Sequence, residues 1–141
     1  LPLRADVHWQ QGISLINARA SKDTLAQGEK LQLTLFWHAA QPITQEYTIF
    51  THLVNERGTV WAQHDGYPAS GTRSTTTWEP GETVQDRHLI PIHDSVPPGE
   101  YELAVGIYIN DHAALPRLPI VDGSSYTKDE SLVVGTIRVL P

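Results

Sequence analysis

The sequence predicts an all-β fold, an antiparallel two-sheet β-sandwich of about eight strands. Three observations carry this. Apolar residues alternate with period two, and the three-and-four spacing of an amphipathic helix is nearly absent. β-branched and aromatic residues fill the alternating runs, as a pleated, half-buried surface prefers. Gly28-Glu29, Gly81-Glu82 and Gly99-Glu100 each stand just before such a run, the last two after a proline. Pro fixes φ at the second position of a turn and Gly permits positive φ at the third.

The elements follow in order. Segments 13–20 and 30–39 read as strands. In the second, Leu31, Leu33, Leu35 and Trp37 share one face, and Gln32, Thr34, Phe36 and His38 the other. Segments 46–55 and 59–65 read as a hairpin around Glu56-Arg57-Gly58. Segment 66–82 lacks alternation and is rich in Gly, Ser, Thr and Pro. Structureless loops above ~12–15 residues are uncommon in compact domains. Tyr67 and Trp78 are too apolar for a free loop, so the segment is expected to fold back over one sheet and bury Trp78. Strands at 83–92, 100–110, 115–121 and 132–140 complete the set. Tyr101, Leu103, Val105, Ile107 and Ile109 share a face of the second of these, and Val133, Ile137 and Val139 point one way in the last. The expected core is Leu33, Leu35, Trp37, Ile49, Leu53, Leu103, Val105, Ile107, Ile137 and Val139.

The run from Val96 to Val105 looks like the tyrosine-corner approach to a strand in immunoglobulin and fibronectin III sandwiches. Because the chain has no cysteine, the fibronectin-III-like variant is the closer comparison. The alternative role for Tyr101 is that of a plain core aromatic. Both roles leave the sandwich in place.

At 141 residues the chain suits a single domain, 1–141, with a real core. Hydrophobic residues make up 40% and charged residues 18%, an ordinary globular balance. A net charge of −6 argues against a general nucleic-acid or anionic-membrane binder, which needs a basic surface. No apolar run approaches the ~18 residues of a membrane-spanning helix, so no direct membrane insertion by this chain is expected. The chain opens Leu1-Pro2-Leu3 and contains no Met, which reads as a part excised from a longer protein. Without cysteine, disulfides, thiolate metal sites and Cys nucleophiles are excluded.

Enzyme motifs fail one by one. No GxSxG, HExxH, GK[ST] or GxGxxG is present. The seven histidines, His8, His38, His52, His64, His88, His93 and His112, have no HxH or HxxxH spacing. They read as scattered surface and core residues, and no metal or other cofactor is expected. Asp65, Asp86, Asn110, Asp111, Asp122, Asp129 and Glu130 offer calcium-type oxygens but read as solvated turn residues.

One constellation suits recognition. If 46–55, 59–65 and 100–110 lie in one sheet, their outward rows converge on Phe50, His52, Trp61, Gln63, Asp65 and Tyr108. Aromatic rings stack on the apolar faces of pyranose rings, and amide, carboxylate and imidazole groups bond the hydroxyls. Small Ala104 and Gly106 would leave room above the sheet. The predicted binding residues are therefore His52, Trp61, Gln63, Asp65 and Tyr108, with a neutral or weakly polar glycan as the ligand. The competing reading has loop 66–82 covering this face, with His52 and Asp65 as its internal hydrogen-bond partners.

A family resemblance points the same way. It is carried by Leu33-Thr34-Leu35-Phe36-Trp37, Tyr47-Thr48-Ile49-Phe50-Thr51-His52-Leu53, Ala62-Gln63-His64-Asp65-Gly66-Tyr67-Pro68, Trp78-Glu79-Pro80-Gly81-Glu82 with Asp86, Pro98-Gly99-Glu100-Tyr101 with Val105-Gly106-Ile107-Tyr108, and Arg117-Leu118-Pro119. In this order they resemble the β-sandwich domain at the C-terminus of bacterial membrane glycosyltransferases of the dolichyl-phosphate-mannose mannosyltransferase type. The resemblance spans nearly the whole chain. It implies an extracytoplasmic accessory module, tethered through a membrane-embedded catalytic part that would also be its partner. It carries over no catalytic residue, so the chain itself is not expected to be an enzyme. A purely structural or protein-interaction sandwich is the alternative role.

Overall fold

The structure, a computed structural model, describes residues 1–111 and 114–141; His112 lies outside the described residues. Ten strands are present among them: β1 (Val7–His8), β2 (Ile13–Ala20), β3 (Thr24–Leu25), β4 (Lys30–Ala39), β5 (Thr48–Val54), β6 (Val60–Gln63), β7 (Thr83–Pro91), β8 (Gly99–Tyr108), β9 (Thr127–Lys128) and β10 (Ser131–Val139). They form one sheet in the order β1-β2-β4-β7 and a second in the order β3-β10-β8-β5-β6, with β9 added on β10. All pairings are antiparallel except β3 on β10, which is parallel.

The two-sheet sandwich is the architecture that the alternation predicts. All ten expected core residues are at most 1% exposed. Period-two alternation puts one row of each strand inside, and burying that row drives the two sheets together. The Tyr101 hydroxyl donates to the Pro97 carbonyl, four residues upstream, and so ties the approach to β8. Gly28 and Gly81 adopt φ of +90° and +86°, as the turns before β4 and β7 require.

Three expectations on the strands are corrected. The count is ten because two-residue strands β1, β3 and β9 are too short to carry a pattern. Segment 115–121 is not a strand. It meets the sheet ends only through isolated bridges, Tyr108 with Arg117 and Trp9 with Ile120. In β10 a register shift between Val133 and Gly135 changes the phase of the alternation. Leu132, Val134, Ile137 and Val139 are therefore buried, while Val133 turns to the outer face instead of joining Ile137 and Val139.

Loop 66–82 runs from β6, the edge of one sheet, to β7, the edge of the other. Trp78 is 3% exposed and stacks on Trp37, with ring centroids 6.3 Å apart; Trp9 meets Trp37 edge-on at 5.5 Å. The loop thus wedges its aromatic ring into the inter-sheet core, rather than lying over the outside of a sheet. Its anchor is Asp86, fully buried on β7 in the same row as Val84, His88 and Ile90. Asp86 Oδ1 accepts the Ala69 N–H at 2.9 Å, and Oδ2 accepts the Trp37 Nε1–H at 3.1 Å. Asp86 is a buried hub, not the solvated turn residue its composition suggests.

Candidate functional site

The site builds on the outer face of β5 and β8. Register places Phe50 opposite Gly106, His52 opposite Ala104 and Thr48 opposite Tyr108. On the other side of β5, Gln63 faces His52, and the bridge from Ile49 to Gly66 extends the ladder so that Asp65 lies opposite Phe50. Because cross-strand partners share a face, Phe50, His52, Gln63, Asp65 and Tyr108 all project outward.

Trp61 does not join them. The β5–β6 register shifts between Leu53 and Val54, so Leu53 faces Ala62 and Val54 faces Val60, with Trp61 left as the extra residue. The Trp61 ring, 38% exposed, lines a separate hollow beside Pro97, Pro98 and Tyr101. Gln63 is exposed on the edge strand and does not line the depression described below.

The remaining residues form a compact polar cluster. The Tyr108 hydroxyl donates to Asp65 Oδ2 at 3.1 Å, and His52 Nε2 stands 3.3 Å from Asp65 Oδ1. That second approach makes no hydrogen bond, leaving His52 Nε2 and Asp65 Oδ1 buried without a partner; the Thr48 hydroxyl on the same face is likewise unpartnered. Burial, the Asp65 charge and the hydrogen bond to Asp65 together push the Tyr108 phenol up to about 12.

Phe50 corrects one expectation about space. A Cβ on Gly106 would lie 2.1 Å from the Phe50 ring. Gly106 therefore exists to let that ring lie flat on β8; it does not leave a vacancy. Phe50 is 1% exposed, with the Arg117 guanidinium 4.4 Å above its ring centre. Its flanks are His52 and Tyr108, at centroid distances of 4.7 and 6.1 Å. Phe50 thus nucleates a small outer cluster that is distinct from the main core.

Beside it lies a depression of about 120 Å³. Phe50, Val54, Val60, Ala104 and Val133 supply its apolar lining; His52, Asn55, Glu56, Glu102, Arg117, Lys128, Asp129 and Ser131 supply polar groups. Arg117 is steadied by donating from Nη1 to the Asp129 carbonyl at 2.7 Å. Loop 66–82 does not contribute to the lining; segments around Arg117 and 128–133 form that wall instead. Sequence reasoning missed these residues because segment 115–121 reads as a strand and Val133 as core.

No protein-family model and no curated protein sequence matches this chain. Solved structures do. The chain is similar to the C-terminal domain of wzt, with a TM-score of 0.63 at 12% identity over 98% of this chain and 79% of that one. It is also similar to part of Pseudomonas fluorescens alkylpurine DNA glycosylase AlkC, solved bound to DNA containing an abasic site analog. There the TM-score is 0.52 at 13% identity, covering 92% of this chain and 31% of that one. At such identities the likeness establishes the fold. Among the described residues no helix is long and apolar enough to cross a membrane.

Proposed function

We propose that this sandwich is a non-catalytic accessory module that holds the end of a glycan chain in the depression on the outer face of β5, β8 and β10. The observation that supports this reading is a lining that combines apolar side chains with donors and acceptors. A sugar ring presents the complementary combination, an apolar face edged by hydroxyls. The volume of about 120 Å³ is well below the ~300–1,000 Å³ of a drug-sized site and suits one ring, not a long chain segment. Glu102, Arg117 and Lys128 line the depression with groups able to bond hydroxyls, and the His52 ring lies beside them. In keeping with the family resemblance, the parent protein is an extracytoplasmic, membrane-tethered glycosyltransferase-like protein, with catalysis and the direct partner surface in its membrane-embedded part.

Amide NMR during titration with neutral mono- and oligosaccharides tests the reading. Saturable shifts confined to residues 50–60, 102–106, 117 and 128–133, with affinity between about micromolar and millimolar, are expected. Absence of shifts at millimolar sugar overturns it. The second reading, a structural or protein-interaction domain without a small ligand, is favoured by the cover on the aromatic surface. Arg117 caps Phe50, and the Tyr108 hydroxyl is already engaged by Asp65.

A further inference from the structure

The inner side of the β6–loop junction carries a second cluster. His64, just beyond β6, opposes Thr51 and points inward. Its N–H donates to the Thr51 carbonyl, and its carbonyl accepts the Thr51 hydroxyl. Its Nδ1 lies 2.8 Å from Nδ1 of His88 on β7, with the rings edge-on. His88 is 1% exposed, and its Nε2 lies 2.8 Å from Asp86 Oδ2. Asp86 takes two further donors, Trp37 Nε1–H and the Ala69 N–H, and so acts as an acceptor at both oxygens. His88 Nε2 must then carry a hydrogen.

Two Nδ1 atoms at 2.8 Å form a hydrogen bond only if one of them carries a hydrogen and the other a lone pair. A neutral pair satisfies this. So does a singly charged pair, whichever ring holds the charge. A doubly charged pair cannot, because two N–H groups would then point at each other inside the protein. We propose that His64 and His88 are a one-proton latch that closes the flank between the sheets and releases segment 64–69 when both imidazoles are charged.

The groups facing His64 fix the direction. His88 and Asp86 face it from β7, and Asp65 adjoins it in its own segment. Burial and the neighbouring His88 outweigh the two carboxylates and hold the His64 imidazole below its ordinary value of 6.5. Release therefore falls on the acidic side of that value. His64, partly exposed, is the ring that can swing out to water; His88 stays on Asp86.

Hydrogen exchange read by mass spectrometry between pH 7.5 and 5, corrected for intrinsic rates, tests the latch. Exchange in 64–69 should accelerate at least tenfold, with a midpoint below 6.5, while β4 and β8 stay protected. His64→Gln, which takes no second charge, should abolish the midpoint. His8→Gln, which removes the exposed His8–Asp122 pair, should leave it in place. An unchanged wild-type profile, or a midpoint that survives His64→Gln, overturns the proposal. Should that variant fail to fold, NMR titration of the His64 and His88 rings in the wild type decides. Coupled, two-step titration supports the latch; independent single-step titration of both rings overturns it.

Discussion

Two polar-aromatic clusters sit on opposite sides of β5, and they differ in how their carboxylates are satisfied. On the inner flank, Asp86 accepts from Trp37 and Ala69 and lies on His88, with Asp86, His88 and Trp37 all buried. On the outer face, Asp65 has one hydrogen bond, from Tyr108, and one oxygen without a partner. A buried carboxylate with all its partners fixes a unique arrangement, whereas a half-satisfied one leaves a polar atom uncompensated. The difference separates a group that closes the fold from one that sits beside the depression with an oxygen still unpaired against His52.

The two carboxylates should respond very differently to removal. Asp86→Ala strands the Trp37, His88 and Ala69 donors inside and should cost about 3–5 kcal/mol in urea unfolding. An effect under about 1 kcal/mol would show that the hub is not structural. On the outer face the strongest steric test is Gly106→Ala. The new methyl must displace the Phe50 ring, and overpacking should cost about 1–3 kcal/mol. Ring-current shifts at His52 and Tyr108 would move with it. Asp65→Ala should cost only about 1 kcal/mol, since it removes one hydrogen bond and leaves a phenol that can reach water.

Titration sharpens the contrast further. Tyr108 should ionise near 12 in ultraviolet difference spectra. Asp65→Asn should lower that value toward 10.0 without reaching it, because burial, the largest cause, remains. The raised value means the folded state holds this proton more tightly than the unfolded chain. Its stabilising contribution is therefore complete below 10.0 and is lost as pH climbs toward 12. The smallest effect belongs to the loop's half-exposed ion pair. Arg73 holds Glu82 down to about 2, so this contribution is present above 4.5 and is lost as pH falls toward 2. Glu82→Gln should flatten that part of the acid unfolding curve by removing the same small contribution from neutral-pH stability, with little change at the acid end.

Much of the fold is legible in the chain because burial acts on a local period. The row Leu31, Leu33, Leu35, Trp37 needs only the pleat of one strand to declare which side is inside, and the structure buries all of it. The turns before β4 and β7 are legible for the same reason, since positive φ is a property of one residue. The buried place of Trp78 follows from its bulk alone. A signal for the inner hub was also present: Asp86 and His88 occupy the same alternating row as Val84 and Ile90, which marks them as core polar groups.

Tertiary structure decided what depends on two strands at once. A single extra residue at the β5–β6 pairing carried Trp61 out of the outward row, and another irregularity in β10 turned Val133 outward. Neither is visible in one strand, because a bulge is a relation between partners. The same holds for the space above Gly106, which Phe50 fills from the neighbouring strand while Arg117 arrives from a segment that reads as a strand but pairs only through bridges. Alternation determines inside from outside; which outward side chains meet, and which are left with a free lone pair, is set by register and by the loops that close over them.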